Sequence, residues 1–243
     1  MNRQILYLTA LASFLSAITT AILMYGPSIQ SALSFEAAQS VYDNPLYLYK
    51  KWILFFHPQF AFLASLGALF LVVKENKKQT LISLMSIIYL FIWAYSEMNQ
   101  QAHVINALNN FWRPAFVNAS GSDELAIWET IIRGFSGYND SQYFLLLFGF
   151  SIGSIFFGLA FWQRKSKLRV MISLCILLIG FMSLLAFMSY YTPIKLQGGI
   201  VQIWYGYLYG PVQISVRALL GIWLLKNMSL THIENKITID SVK

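Results

Sequence analysis

Six long apolar segments, joined by connections that alternate in charge, constrain this chain more than any other feature. They run over about 5–24, 52–73, 80–97, 143–163, 169–190 and 200–225. A helix rises ~1.5 Å per residue, so about 20 residues cross ~30 Å of hydrocarbon. Each segment reaches that length, or nearly so with its flanks. The expected fold is therefore all-α, a polytopic membrane protein with six transmembrane helices in one bundle.

Composition supports this reading. Of 243 residues, 57% are hydrophobic and only 11% charged, where a soluble domain carries roughly a quarter. The longest non-spanning stretch, about Ser96–Gln142, is too short for a soluble domain beside the spans. The whole chain, 1–243, reads as a single transmembrane domain. The first run lacks a clear A-x-A site and is long for a signal peptide, so it reads as a retained span. Cys175 is the single cysteine, which excludes an intrachain disulfide and a CxxC redox site.

The charges orient the bundle. Lys74-Glu75-Asn76-Lys77-Lys78 and Arg164-Lys165-Ser166-Lys167-Leu168-Arg169 are short basic turns, so both are expected to be cytoplasmic. Glu36, Asp43, Asp123, Glu124, Glu129 and Asp140 fall in the connections between them, which should face outward. Both termini are then cytoplasmic and the expected location is the cell membrane. The net charge of +7 reports this orientation rather than nucleic-acid binding, because the basic residues sit at helix ends.

Two outer segments look amphipathic. After the third span, 98–112 keeps Ala102, Ile105, Leu108 and Trp112 on one stripe, with Pro114 as the first breaker. Over 123–135, Leu125, Ile127, Trp128, Ile131 and Ile132 form another apolar face. Asp140 and Ser141 are placed to cap the fourth span. Gly149-x-x-x-Gly153 and Gly206-x-x-x-Gly210 permit close helix approach. Ser65–Phe70 echoes Ser151–Phe156, and Leu81–Leu84 echoes Met171–Leu174, as if the hairpin of spans two and three repeated in spans four and five.

Polar residues inside a membrane are costly, so each is a candidate site. Counted outward from the turn between the second and third spans, His57 and Glu97 differ in depth by only ~3 Å. With Gln59, Gln100, Gln101 and His103 they outline an outward-opening polar pocket. In the sixth span, Gly210-Pro211 should bend the helix and turn Gln213 and Arg217 toward the bundle. Arg217 would there meet an anion, or else snorkel to the inner headgroups. The candidate ligand-binding set is therefore His57, Glu97, Gln100, Gln101, His103, Gln213 and Arg217.

No catalytic or nucleotide-binding motif is present, and no HxxxH or HExxH spacing suggests a metal. No metal and no cofactor are expected. The leading functional expectation is binding or transport of a small or lipid-like molecule through the outward pocket. A membrane-embedded enzyme using His57 and Glu97 as an acid–base pair is one alternative. A non-catalytic subunit of a larger complex is another. The expected partners are the lipid bilayer, a small-molecule or lipid ligand, and a homo- or hetero-oligomer, with no nucleic acid.

Overall fold

The computed structural model describes residues 3–27, 34–164, 166–193 and 199–240, with side chains to Asn227. Among these residues every regular element is helical. The helices are α1 (Arg3–Tyr25), α2 (Phe35–Gln39), α3 (Pro45–Glu75), α4 (Thr80–His103), α5 (Arg113–Asn118), α6 (Ser122–Phe161), α7 (Lys167–Tyr191), α8 (Gly199–Ile203) and α9 (Tyr209–Asp240). A π-helical segment, Val104–Trp112, fuses α4 to α5, and another, Trp204–Leu208, fuses α8 to α9. Six helical runs are long and apolar enough to cross a membrane: α1, α3, Lys77–Asn118, α6, α7 and Gly199–Asn227. The chain is an all-α membrane protein.

Contacts between neighbours close these runs into a ring in the order α1, α3, α4, α6, α7, α9 and back to α1. The seam between α7 and α9 is the sparsest. Lipid tails are as apolar as leucine, so close packing and interhelical hydrogen bonds must hold such a ring together. The small residues supply both. A Cβ on Gly149 would stand 2.8 Å from the backbone of Tyr89 and Trp93, and one on Gly153 would stand 2.8 Å from that of Leu90. The first Gly-x-x-x-Gly pair therefore serves the α4–α6 contact within this chain. In the second pair, Gly206 faces open space and Gly210 packs on Tyr25 of α1. Ser86 donates to the Gly153 carbonyl at 3.0 Å, and Ser13 of α1 to the Arg217 carbonyl of α9 at 2.6 Å. The echoed positions share surroundings too: Gly67 and Gly153 both sit in close contacts, and Ser83 and Ser173 are both fully buried.

Several local expectations are corrected. Asp140 and Ser141 cap nothing, because α6 runs unbroken for 40 residues from Ser122. The Ser141 hydroxyl instead donates back to the Gly137 carbonyl. At ~1.5 Å per residue α6 is about 60 Å long, twice the hydrocarbon thickness. Segment 123–135 is thus the first third of α6 and not a separate surface helix. Segment 98–112 does continue α4, as its pattern predicts, and the only departure is that Pro114 does not stop the helix. Proline falls in the first turn of α5, where a missing N–H is tolerated.

The two long helices form an antiparallel hairpin that reaches past the spans. Its own small core joins Val104, Leu108, Phe116, Ile132 and Phe135 to Phe35 and Tyr47. Arg113 ties this core together, donating to Gln39 at 3.2 Å, Tyr47 at 2.8 Å and Asn109 at 2.8 Å. Asn44 then starts α3, accepting hydrogen bonds from the Leu46 and Tyr47 N–H groups ahead of Pro45.

Candidate functional site

A cavity of about 470 Å³ lies between the spans at the end of the bundle that carries this hairpin. Every member of the ring contributes to its wall, from Thr20 of α1 to Ser183 of α7. Six of the seven expected site residues line it: His57, Glu97, Gln100, Gln101, Gln213 and Arg217. His103 does not. It lies one turn beyond Gln100 on the hairpin, its Nδ1 2.8 Å from the Asn99 carbonyl and its ring against Tyr138. Gln59 also stays outside, donating to its own helix at the Phe55 carbonyl.

His57 is buried on α3 with both ring nitrogens engaged. Nε2 accepts from Arg217 Nη1 at 2.8 Å, and Nδ1 lies 2.7 Å from Thr19 Oγ1. The Thr19 hydroxyl donates to the Leu15 or Ser16 carbonyl, at 2.9 and 3.1 Å, so its oxygen accepts from Nδ1–H. A guanidinium only donates, so Nε2 must carry the lone pair. The proton is therefore on Nδ1. No direct hydrogen bond joins His57 to Glu97, though both line the same cavity. Depth along two helices was legible, but rotation about each axis was not.

Arg217 turns inward and does not snorkel. Besides His57, its Nη1 donates to Ser16 of α1, and its Nε donates to Gln213 Oε1 at 3.0 Å. The irregularity expected at Gly210-Pro211 lies just before it, in the π-helical turn Trp204–Leu208. Pro211 has no N–H to return to the preceding turn, and the wider turn absorbs that loss. Both π-helical segments adjoin the cavity end, one contributing Tyr205 to the wall and the other continuing the helix that carries Glu97, Gln100 and Gln101.

Glu97 is buried on α4, one turn from Trp93, which supplies a hydrogen-bonding neighbour. Gln100 donates to the Asn139 carbonyl at 3.3 Å, and Gln101 donates to Gln100 Oε1 at 3.4 Å. Lys50, Tyr143 and Tyr209 complete the polar wall. Lys50 was not among the expected site residues, because a lysine at the start of a span reads equally well as a headgroup contact. Tyr209 closes a tyrosine-rich run with Tyr205 and Tyr207, whereas nothing local in the sequence marks Tyr143. A smaller void of about 60 Å³ shares Trp93, Phe150, Gln213 and Arg217 with the main cavity and continues along the axis among small side chains such as Ser13, Ser16 and Ser154.

Chemically the site joins a guanidinium, an ammonium and a carboxylate around one space, with no ion pair between them among the described residues. No cluster of three or more His, Cys, Asp or Glu suited to a metal occurs among those residues. Comparisons with protein-family models, curated proteins and solved structures return no match to this chain.

Proposed function

We propose that this membrane protein binds, and in the fuller reading moves, a small or lipid-like molecule in the cavity of about 470 Å³. The observation that carries this is the presence of Arg217, Lys50 and Glu97 around one space between membrane-spanning helices. Ionisable groups at membrane depth cost several kcal/mol unless partners or a ligand justify them. The volume is in the range of about 300–1,000 Å³ common for small-molecule sites. The acid–base enzyme reading has less support, since His57 spends its nitrogens on Thr19 and Arg217. In the proposed orientation the cavity opens outward and both termini are cytoplasmic, because the Lys74–Lys78 and Arg164–Arg169 turns lie at the opposite end.

Native mass spectrometry of the protein, taken from its own membrane into nanodiscs, tests the binding. A bound molecule is expected in the wild type and lost in the cavity-filling variants Leu54→Trp and Leu146→Trp. Equal occupancy in all three would place the molecule elsewhere. For orientation, Ser122→Cys in a Cys175→Ala background should react with an impermeant reagent from outside, and reaction of Ser166→Cys from outside would reverse the topology.

A further inference from the structure

Resting on that binding site, we propose that its ligand is amphoteric: one end carries an anionic carboxylate or phosphate, the other an ammonium with N–H donors. The reason lies in how the cavity's hydrogen-bonding capacity is sorted. Two glutamine atoms on its wall are buried without a protein partner, Gln213 Nε2 and Gln101 Oε1. Gln213 is 3% exposed and Gln101 6%. One is a donor and the other an acceptor, and neither amide can be turned round.

Gln213 Oε1 accepts from the Arg217 guanidinium. A flipped amide would set donor against donor, because arginine has no acceptor. Nε2 therefore stays a donor beside the positive charge, with the Tyr209 hydroxyl as its neighbour. On the other side the chain of amides begins at a backbone carbonyl, which only accepts. The Asn139 carbonyl takes Gln100 Nε2, Gln100 Oε1 takes Gln101 Nε2, and Gln101 Oε1 is left over. Gln101 stands one helical turn from Glu97 on α4. The spare acceptor thus accompanies the carboxylate, and the spare donor accompanies the guanidinium.

The two poles belong to α4 and α9, which are not neighbours in the ring. Glu97 and Arg217 both line the cavity, yet no ion pair joins them among the described residues. Opposite charges held apart across a low-dielectric gap attract a molecule that presents the complementary pair. Lys50 shares the wall but makes no ion pair with Glu97 among the described residues, so a ligand bearing one charge alone would still leave the carboxylate or the guanidinium without a close counter-charge. The same chemistry occurs in free α-amino acids and in the phosphate and ammonium of a phosphatidylethanolamine headgroup, and the test separates these sources.

The full-length protein in ethanolamine-free micelles is titrated with a pool of α-amino acids, the corresponding amines, and the corresponding deaminated acids, reading the unfolding temperature. In a second arm, nanodiscs of phosphatidylethanolamine are compared with phosphatidylcholine, whose ammonium lacks N–H donors. Stabilisation by the amino acids, or by phosphatidylethanolamine over phosphatidylcholine, is expected, with either single-charge pool needing about tenfold higher concentration or more. Glu97→Gln should bring the zwitterion down to the level of the acids, and Arg217→Leu to that of the amines. Gln101→Leu and Gln213→Leu serve where a charge variant does not fold, each weakening the zwitterion at its own pole. The proposal is overturned if acids or amines act as well as the zwitterion, if neither arm responds, or if these variants leave the preference intact. A bound but singly charged molecule in the native mass spectrum would defeat this inference and leave the binding role standing.

Discussion

Two arginines enter the interior of this bundle from opposite ends, and their surroundings differ. Arg169, at the start of α7, is 4% exposed and fully served. Its Nη1 meets Glu75 at 2.5 Å and Gln163 at 2.8 Å, its Nε donates to the Phe161 carbonyl at 3.1 Å, and its plane lies over Phe161 and Trp223. Its neighbours come from α3, α6 and α9 as well as its own helix. Arg217 meets an imidazole, a hydroxyl and an amide but no carboxylate, and it faces a cavity. A cation with a carboxylate and a stacked aromatic partner holds helices together. A cation given neutral partners beside open space retains attraction for something else.

This comparison breaks most easily on stability. Arg169→Leu should cost about 3 kcal/mol, because it strands Glu75 and the Phe161 carbonyl. The value is set at the lower end for broken pairs because the Glu75 side chain is 39% exposed. Arg169→Lys should recover part of this, keeping the charge and losing the fork. Reversible unfolding in mixed micelles measures both.

The packing behind the cavity gives the next effect. Gly153→Ala pushes a methyl group into the Leu90 backbone and should cost about 1–3 kcal/mol. It should also weaken binding, since α4 carries Glu97 and Gln101. Gly206→Ala, which meets nothing, should stay within about 0.5 kcal/mol of wild type.

Of the two arginines, Arg217 should matter less to stability: Arg217→Leu is expected within about 1 kcal/mol, since it strands no carboxylate and leaves His57 and Gln213 beside the cavity. Its effect should fall on binding. If Arg217→Leu unfolds the protein as readily as Arg169→Leu, the two arginines are both structural and the contrast drawn above is wrong.

Much of this architecture was legible in one dimension. Hydropathy marks six runs because ~30 Å of hydrocarbon demands about 20 apolar residues in each. Residue counting along a helix gives depth, so His57, Glu97, Gln100, Gln101, Gln213 and Arg217 were nominated, and all six line one cavity. His103 lies outside it because the helix carries it past the spans onto the hairpin, where 98–112 reads as an extension of the third span and 123–135 as a separate surface segment. An amphipathic face does not say whether it covers lipid or a partner helix. Here each covers the other, with Leu108 and Phe135 in one core.

What the sequence alone determined is set by period and length: helical spans, their number, the polar residues that share a depth, and the basic turns at one end. Only the tertiary structure decided which faces meet. Helix rotation depends on close fits such as Gly149 and Gly153 on α4, and on bonds between positions as distant as Ser13 and Arg217. That rotation gave His57 to Arg217 and left Gln101 Oε1 buried beside the cavity without a partner. The reason is physical: depth follows from the ~1.5 Å rise of a single helix, whereas pairing is a property of the six packed together.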